Sequence, residues 1–477
     1  MNGFQQGPGT LRAEDASISA ALALAAKYAR PGPRYTSYPT APHFNDADAV
    51  DSYLNWQQTA ASSAAPLSIY VHLPFCRDIC YYCACNKVVT RESGASSAYL
   101  ARLEKEIEQQ SRLLGRHRPV TQLHWGGGTP TYLDAPELTR LMHKLASHFH
   151  LLDRPDREYA IEIDPRTVQA DTIALLRGLG FNRISMGIQD FDPLVQKSIN
   201  RIQPPAMIES LVQAVRRHSF DSLSFDLIYG LPHQDRYSMA DTLQKVLAMA
   251  PDRIACYSYA HLPERFVSQR AIDRLSIPDS QEKLLLHELI SQTLADAGYV
   301  HIGMDHFVLP TDELAVAQRR GRLQRNFQGY SLRLAEDILG LGVSAISQIG
   351  DFYLQNVRDL ATYYDRLDQQ EIALDRGCRL SQDDKIRRFV IMSLICELSL
   401  DIPACNQRFA IDFSEHFNRE LASLQSMVDD GLLQVGQAAI TVTERGRPFL
   451  RNICMVFDAY LAAANDQVSP IKFSATI

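Results

Sequence analysis

No stretch of this sequence approaches the roughly 18 consecutive apolar residues that a membrane-spanning helix requires. The most apolar segment near the start, ISAALALAAKYAR, is short and interrupted, and predicts an amphipathic or Ala-rich helix. A secretory signal needs a basic segment ahead of its apolar core, whereas MNGFQQGPGTLRAEDAS is mixed and polar. These two absences predict a cytoplasmic protein with no membrane span. An excess of positive charge is missing as well. The 48 Lys and Arg stand against 55 Asp and Glu, and the net charge of −7 argues against a broad electrostatic grip on nucleic acid or an anionic membrane. Internal repeats and low-complexity tracts are absent. So is a disulfide framework, because the nine cysteines are an odd number and four of them crowd into CRDICYYCAC. In a reducing cytosol such a cluster reads as a metal or redox site. The scattered Cys256, Cys378, Cys396, Cys405 and Cys454 read as small buried apolar residues.

The 477 residues exceed one compact core of ordinary size, so two or three domains are expected, one of them a large α/β barrel. Strand patterns fall at 67–74, 121–125, 159–164, 183–189, 223–230 and 253–261, with helical apolar spacing between them. Six β–α units predict a parallel sheet, because parallel neighbours need helical crossovers. VHIGMDHF (300–307) predicts one further strand, and the polar, Arg-rich stretch from Ala317 to Tyr330 reads as a long functional loop. The expected division is an N-terminal extension and arm at 1–66, a barrel at 67–378 and a mostly helical domain with a small hairpin at 379–477. The Pro-rich RPGPRYTSYPTAPHF cannot form regular helix and reads as the arm lying across the barrel.

Cys76, Cys80 and Cys83 offer three thiolates within eight residues, on a loop directly after the first strand. Three thiolates suit three corners of an iron–sulfur cubane and leave the fourth iron open, whereas structural zinc demands a closed set of four. The zinc alternative would recruit Cys85 or His72 as the fourth ligand. CxxxCxxC with an aromatic residue, Tyr82, just before the last cysteine resembles the signature of the radical S-adenosylmethionine (SAM) superfamily. That resemblance implies a 4Fe-4S cluster whose open iron takes SAM, and reductive cleavage to a 5′-deoxyadenosyl radical.

In barrel enzymes the working residues sit at the C-terminal ends of strands and on the loops that follow. The distinctive residues fall there. The cysteine loop follows the first strand and Gly126-Gly127-Gly128-Thr129-Pro130 the second; Glu162 and Asp164 end the third, Gln189 ends the fourth, Asp226 lies on the fifth and Ala260 closes the sixth. The glycine turn allows close approach of a ligand, with its amides toward the amino-acid portion of SAM, or it serves only as a tight turn. Glu162 at a buried strand end needs a cation or hydrogen-bond donors, which SAM supplies; the alternative is an ion pair with Arg166 or Arg183. Arg201 reads as a carboxylate clamp and Asp226 as a ribose-hydroxyl acceptor.

Taken together, RPGPRYTSYPTAPHF, IYVHLPFCRDICYYCACNKVVTR, LHWGGGTPTYL, IEIDPR, GFNRISMGIQDF, FDLIYGLPHQ, GMDHF, RNFQGY and RNICMVFDAYL resemble the oxygen-independent coproporphyrinogen III oxidase family, in the same order from about Arg30 to Leu461. The resemblance implies an incomplete (β/α)6 radical-SAM barrel with an N-terminal arm, a helical C-terminal domain and two SAM molecules. By the same resemblance Tyr70, Gly127, Glu162 and Ile346 match contacts of the first SAM. Tyr82, Gly128, Thr129, Gln189, Arg201, Asp226 and Ala260 match contacts of the second, and Phe327 and Gln328 also match positions near SAM. One departure is Ala84, where the family carries glycine; Cys85 is retained.

The implied reaction is oxidative decarboxylation of two propionates of coproporphyrinogen III to vinyl groups, giving protoporphyrinogen IX. The implied partner is a low-potential electron donor such as flavodoxin or ferredoxin, and the chain is expected to be a monomer. Arg34 in the arm is a candidate partner for a substrate carboxylate. Cys85 is a candidate catalytic residue, placed where the second SAM or the substrate packs; its alternative is an inert packed thiol. Related haem-handling proteins, a delivery chaperone or a haem-opening methyltransferase, are the rival family reading. Chaperone relatives usually lack the fourth cysteine and the PGPRYTSYPT arm, and both are present here.

Overall fold

All six expected β–α units are present in the computed structural model, which describes residues 23–59, 63–92, 94–332, 335–464, 473 and 476. The strands are β1 (Leu67–Leu73), β2 (Pro119–Gly127), β3 (Glu158–Ile163), β4 (Arg183–Gln189), β5 (Ser222–Tyr229) and β6 (Arg253–Ser258). The helices are α1 (Ala95–Leu114), α2 (Ala135–His148), α3 (Ala170–Gly178), α4 (Pro205–Arg217), α5 (Arg236–Met249) and α6 (Ser280–Asp296). Consecutive strands pair in parallel from β1 to β6. Helices cover the outer face of these strands, and β1 is buried at every residue but Tyr70, with Leu67, Ile69, Val71 and Leu73 in the core and Ser68, Tyr70 and His72 alternating with them. The helices turn an apolar stripe inward, as Ile208, Leu211, Val212 and Val215 do on α4. Local signals set their starts: Asp134 and Glu137 close a capping box on α2, and Asp235 accepts from the amides of Tyr237 and Ser238 on α5.

The sheet runs past the six units on both sides. Residues 300–307, expected as one strand, form a hairpin of β7 (Val300–Gly303) and β8 (His306–Val308), turned at Met304 with φ +50°. On the other side β9 (Asp337–Leu341) lies parallel to β1, followed by antiparallel β10 (Ile346–Ile349), β11 (Phe352–Asn356) and β12 (Leu374–Arg379). The order is β7-β8-β6-β5-β4-β3-β2-β1-β9-β10-β11-β12, and among the described residues the ends do not pair. The barrel is therefore incomplete, as expected.

The expected loop from Ala317 to Tyr330 is a correction. It contains the end of a helix (Glu313–Arg319) and a hairpin of Leu323–Asn326 with Gly329–Leu332. Its polar composition hid the pattern, and burial of Leu323 and Tyr330 against the C-terminal core holds it in place.

The C-terminal segment follows expectation: helices such as Gln382–Glu397 and Asn418–Asp429, then a hairpin of Leu433–Val435 with Ala439–Val442, and a closing helix, Leu450–Val456. Ser399–Asp401 adds a third strand to that hairpin. All five scattered cysteines are buried. The arm joins the two regions. Tyr35 and Tyr38 lie in the C-terminal core, the Tyr35 hydroxyl donates to Asp458 at 2.9 Å, and Arg34 Nη2 donates to the carbonyl of Ser258, at the end of β6, at 3.1 Å. Of the predicted N-terminal helix, residues 23–28 are helical and 18–22 lie outside the described residues. Among the described residues no helix is long and apolar enough to cross a membrane.

Candidate active site

Beyond β1 the chain turns at Pro74 into the cysteine loop, which is stitched to its neighbours through the backbone. Val88 N donates to Pro74 O at 2.8 Å, and Thr90 N to Cys76 O at 3.0 Å. The glycine turn after β2 supplies the opposite wall, with Gly128 N bonded to Leu73 O at 2.8 Å and Thr129 N to Phe75 O at 2.8 Å. A side chain on Gly128 would meet Pro74 O at 2.5 Å, and Gly127 takes φ +117° against the ring of His72. The third amide, Gly127 N, points to Glu162 Oε2 at 3.3 Å. These three amides lock the turn to the end of β1, to the cysteine loop and to Glu162.

Cys76, Cys80 and Cys83, with Cys85, line a cleft of about 360 Å³. Around them the donors are strong. Thr129 Oγ1 lies 3.5 Å from Cys76 Sγ, while Arg166 Nη2 and Arg201 Nη1 approach Cys80 Sγ at 3.4 and 3.6 Å. The neighbouring Cys85 thiol and Lys87 pull Cys83 down to about 6, whereas burial pushes Cys76 up to about 11. His72 is not a fourth ligand, since Nδ1 meets the Tyr70 hydroxyl at 3.1 Å and Nε2 meets Asn86 O at 2.9 Å. Among the described residues no three His, Cys, Asp or Glu side chains surround a single ion-sized point. A cubane does not require that, because each cysteine binds a different iron. Three thiols on one loop, two of them met by outside donors, fit such a cluster.

Glu162 ends β3 inside the same cleft, its side chain 44% exposed. His124 Nε2 meets Oε1 at 3.0 Å. Burial pushes this carboxyl up, but His124 and the Gly127 amide outweigh it and hold Glu162 below the usual carboxylate range. The alternative ion pairs are not formed, because Arg166 pairs with Asp164 at 2.7 Å and Arg183 with Glu313 and Glu158. Asp164 also takes Arg201 Nη1 at 3.0 Å, and the two guanidinium groups keep it ionised against burial. Arg201 Nη2 donates to Gly187 O at 2.7 Å, while its Nε is buried without a partner.

Tyr82, Gly127, Gly128, Thr129, Gln189 and Asp226 line this cleft as well. Gln189 ends β4 with φ +66°, and Asp226 accepts from Ser185 Oγ at 2.8 Å and is pushed up to about 7 by burial. Tyr70 and Ile346 border a separate cavity of about 170 Å³ together with Phe327 and Gln328. Ala260 lies two residues past the end of β6 and lines neither space; its carbonyl is tied by Gln269, which also holds Tyr82 O. Sequence reasoning passed over His124, which steadies Glu162, and Tyr257, which closes the cleft. The signal for His124 was present in LHWGGGTP, one strand across from IEIDPR.

The profile of the radical SAM superfamily matches residues 70–246, and that of the HemN C-terminal domain matches residues 380–449. The oxygen-independent coproporphyrinogen III oxidase of Pseudomonas aeruginosa is 48% identical over 454 residues, covering 95% of this chain and 98% of that protein. The Escherichia coli K12 protein of the same name is 48% identical over 442 residues, covering 92% and 95%. The chain belongs to the oxygen-independent coproporphyrinogen III oxidase family. A solved family structure, described as coproporphyrinogen III oxidase (HemN) from Escherichia coli, a radical SAM enzyme, superposes with a TM-score of 0.86 at 46% identity. It covers 90% of this chain and 97% of that one. Membership of the radical SAM superfamily brings a 4Fe-4S cluster and SAM as cofactors. In this family member the cysteine loop, Glu162 and the Asp164–Arg201 pair share one cleft at the C-terminal ends of the strands.

Proposed function

We propose that this chain removes the carboxylates of two propionate side chains of coproporphyrinogen III without oxygen, leaving vinyl groups and giving protoporphyrinogen IX. The observation that carries the reading is the cleft itself: three cysteines and an ionised Glu162 face one space, in a chain 48% identical to a named family enzyme across 95% of its length. Cys76, Cys80 and Cys83 would hold the 4Fe-4S cluster, with Arg166 and Arg201 offsetting thiolate charge at Cys80. Bound together, the cluster and SAM supply a 5′-deoxyadenosyl radical able to take hydrogen from an unactivated carbon.

Two SAM molecules are part of the proposal. Tyr70, Gly127, Glu162 and Ile346 serve the first, Glu162 as acceptor for its cationic amino group. Tyr82, Gly128, Thr129, Gln189, Arg201, Asp226 and Ala260 serve the second. The buried Arg201 Nε is the donor left for a carboxylate and Asp226 the acceptor for hydroxyls. Cys85, beside Cys83 in the cleft, is the proposed catalytic thiol. The arm is tied to the end of β6 through Arg34 and the Ser258 carbonyl, and in this reading it helps to keep water from the cleft. The proposal includes the division at 1–66, 67–378 and 379–477, a cytoplasmic monomer, and reduction by a flavodoxin or ferredoxin.

The test is anaerobic turnover of coproporphyrinogen III by reconstituted protein with SAM and a reductant. Two CO2 released per protoporphyrinogen IX formed is expected. SAM cleavage with no CO2 and no vinyl product overturns the reading in favour of a haem-handling relative.

A further inference from the structure

Tyr257 closes the cleft from β6, and around its ring lie groups that the proposed reaction leaves unused. The Arg34 guanidinium lies 5.9 Å from the ring centroid, and His306 on β8 stands edge-on to it at 5.9 Å. His306 packs edge-on against Tyr330 at 5.1 Å, and the Arg325 guanidinium lies over Tyr330 at 4.8 Å. Arg325 is only 8% exposed, yet its Nε and Nη1 are buried with no hydrogen-bond partner, and His306 Nδ1 is in the same condition. The nearby carboxylate, Asp305, approaches Arg34 at 3.7 Å and makes no ion pair with Arg325. Burial and the adjacent Arg325 hold His306 down to about 3, so the ring is neutral and keeps one N–H to donate.

A buried guanidinium without an acceptor costs stability, and its planar fork matches a carboxylate. Of the four propionates on the proposed substrate, two survive both decarboxylations, so a grip that lasts through the reaction must hold a surviving one. We propose that Arg325 and His306, with Arg34 beside Tyr257, bind a propionate carboxylate that is retained in the product. This inference rests on the proposed reaction. The same chemistry would also suit the carboxylate of SAM, and the test separates the two.

The experiment compares wild-type holoenzyme with Arg325→Met, Arg325→Lys and His306→Gln in anaerobic turnover of coproporphyrinogen III, in SAM binding and in thermal unfolding. A grip held equally in ground and transition states moves KM and spares kcat. Arg325→Met is expected to raise KM about tenfold or more, as loss of a charge-assisted hydrogen bond does. Lysine restores part of this, the His306 variant loses less, and SAM affinity stays at the wild-type value. Arg325→Met should also melt higher than wild type before ligand is added, because the unpaired charge is gone. An unchanged KM overturns the proposal, as does a fall in SAM affinity to the same extent, which would assign the group to SAM. Failure of Arg325→Met to fold contradicts the expected rise in melting temperature and overturns it too. If wild type makes no vinyl product, the reaction itself is refuted, and this result is distinct from an unchanged KM in an active enzyme.

Discussion

Glu106 and Glu162 are both carboxylates embedded in this barrel, one behind the wall of the cleft and one inside it. Glu106, on α1, accepts from Gly342 N at 2.8 Å, Asn356 Nδ2 at 2.6 Å and the Tyr363 hydroxyl at 2.6 Å. Next to it the Tyr99 hydroxyl accepts from Val343 N at 3.0 Å and donates to His72 O at 2.7 Å, which fastens the end of β1 from outside. Burial outweighs these bonds and pushes Glu106 up. Glu162 has two partners, remains below the usual carboxylate range and opens on the cleft. A polar group saturated by its own chain serves the fold. One left with open acceptor sites in a cavity is prepared for a ligand.

Four measurements break or sharpen that contrast. The largest effect is expected at the cysteine loop, beside Glu162. Serine at Cys76, Cys80 or Cys83 should abolish cluster absorbance after anaerobic reconstitution, whereas Cys85→Ser keeps it and loses vinyl formation. Stoichiometric zinc without acid-labile sulfide in the wild type would refute the cluster outright. Second, Glu106→Ala strands three donors at once and should lower unfolding free energy by about 3 kcal/mol or more, measured in urea. SAM affinity of the folded variant should stay near wild type, and a loss under about 1 kcal/mol would erase the distinction between the two carboxylates.

Third, Glu162→Ala should weaken SAM binding about tenfold to hundredfold, the value of a charge-assisted hydrogen bond of roughly 1.5–3 kcal/mol, while the cluster stays intact. Wild-type affinity in titration calorimetry would return Glu162 to the structural class. The smallest effect concerns Asp226, pushed up to about 7 by burial against an unfolded value near 3.9. Between those values the folded chain keeps a proton that the unfolded chain releases. Its stabilising contribution is therefore complete below about pH 4 and is lost as pH rises through 7. Asp226→Asn should remove that slope, gaining about 1 kcal/mol on wild type between pH 5 and pH 8, a modest figure because the side chain opens on the cleft. A parallel pH dependence in both proteins would show that Asp226 is already ionised.

The sequence was most informative where chemistry is local. The spacing of Cys76, Cys80 and Cys83 and the alternation of strand and helix patterns are properties of short windows, and all six units appear where those patterns fall. It was least informative where polar composition conceals burial. Arg325 and Asn326 in a loop-like stretch form a strand because Leu323 and Tyr330 seat it on the C-terminal core.

From the sequence alone follow the order of the elements, the triad of cysteines and the strand ends at which function gathers, because periodicity and spacing act within a few turns of chain. Only the tertiary structure decided which charges meet. It gave Glu162 to His124 instead of an arginine, placed Asp164 with Arg201 against Cys80, and buried Arg325 without a partner. These pairings join residues far apart in the chain, and their choice depends on how the strands are ordered and which side chains packing brings to the same strand ends.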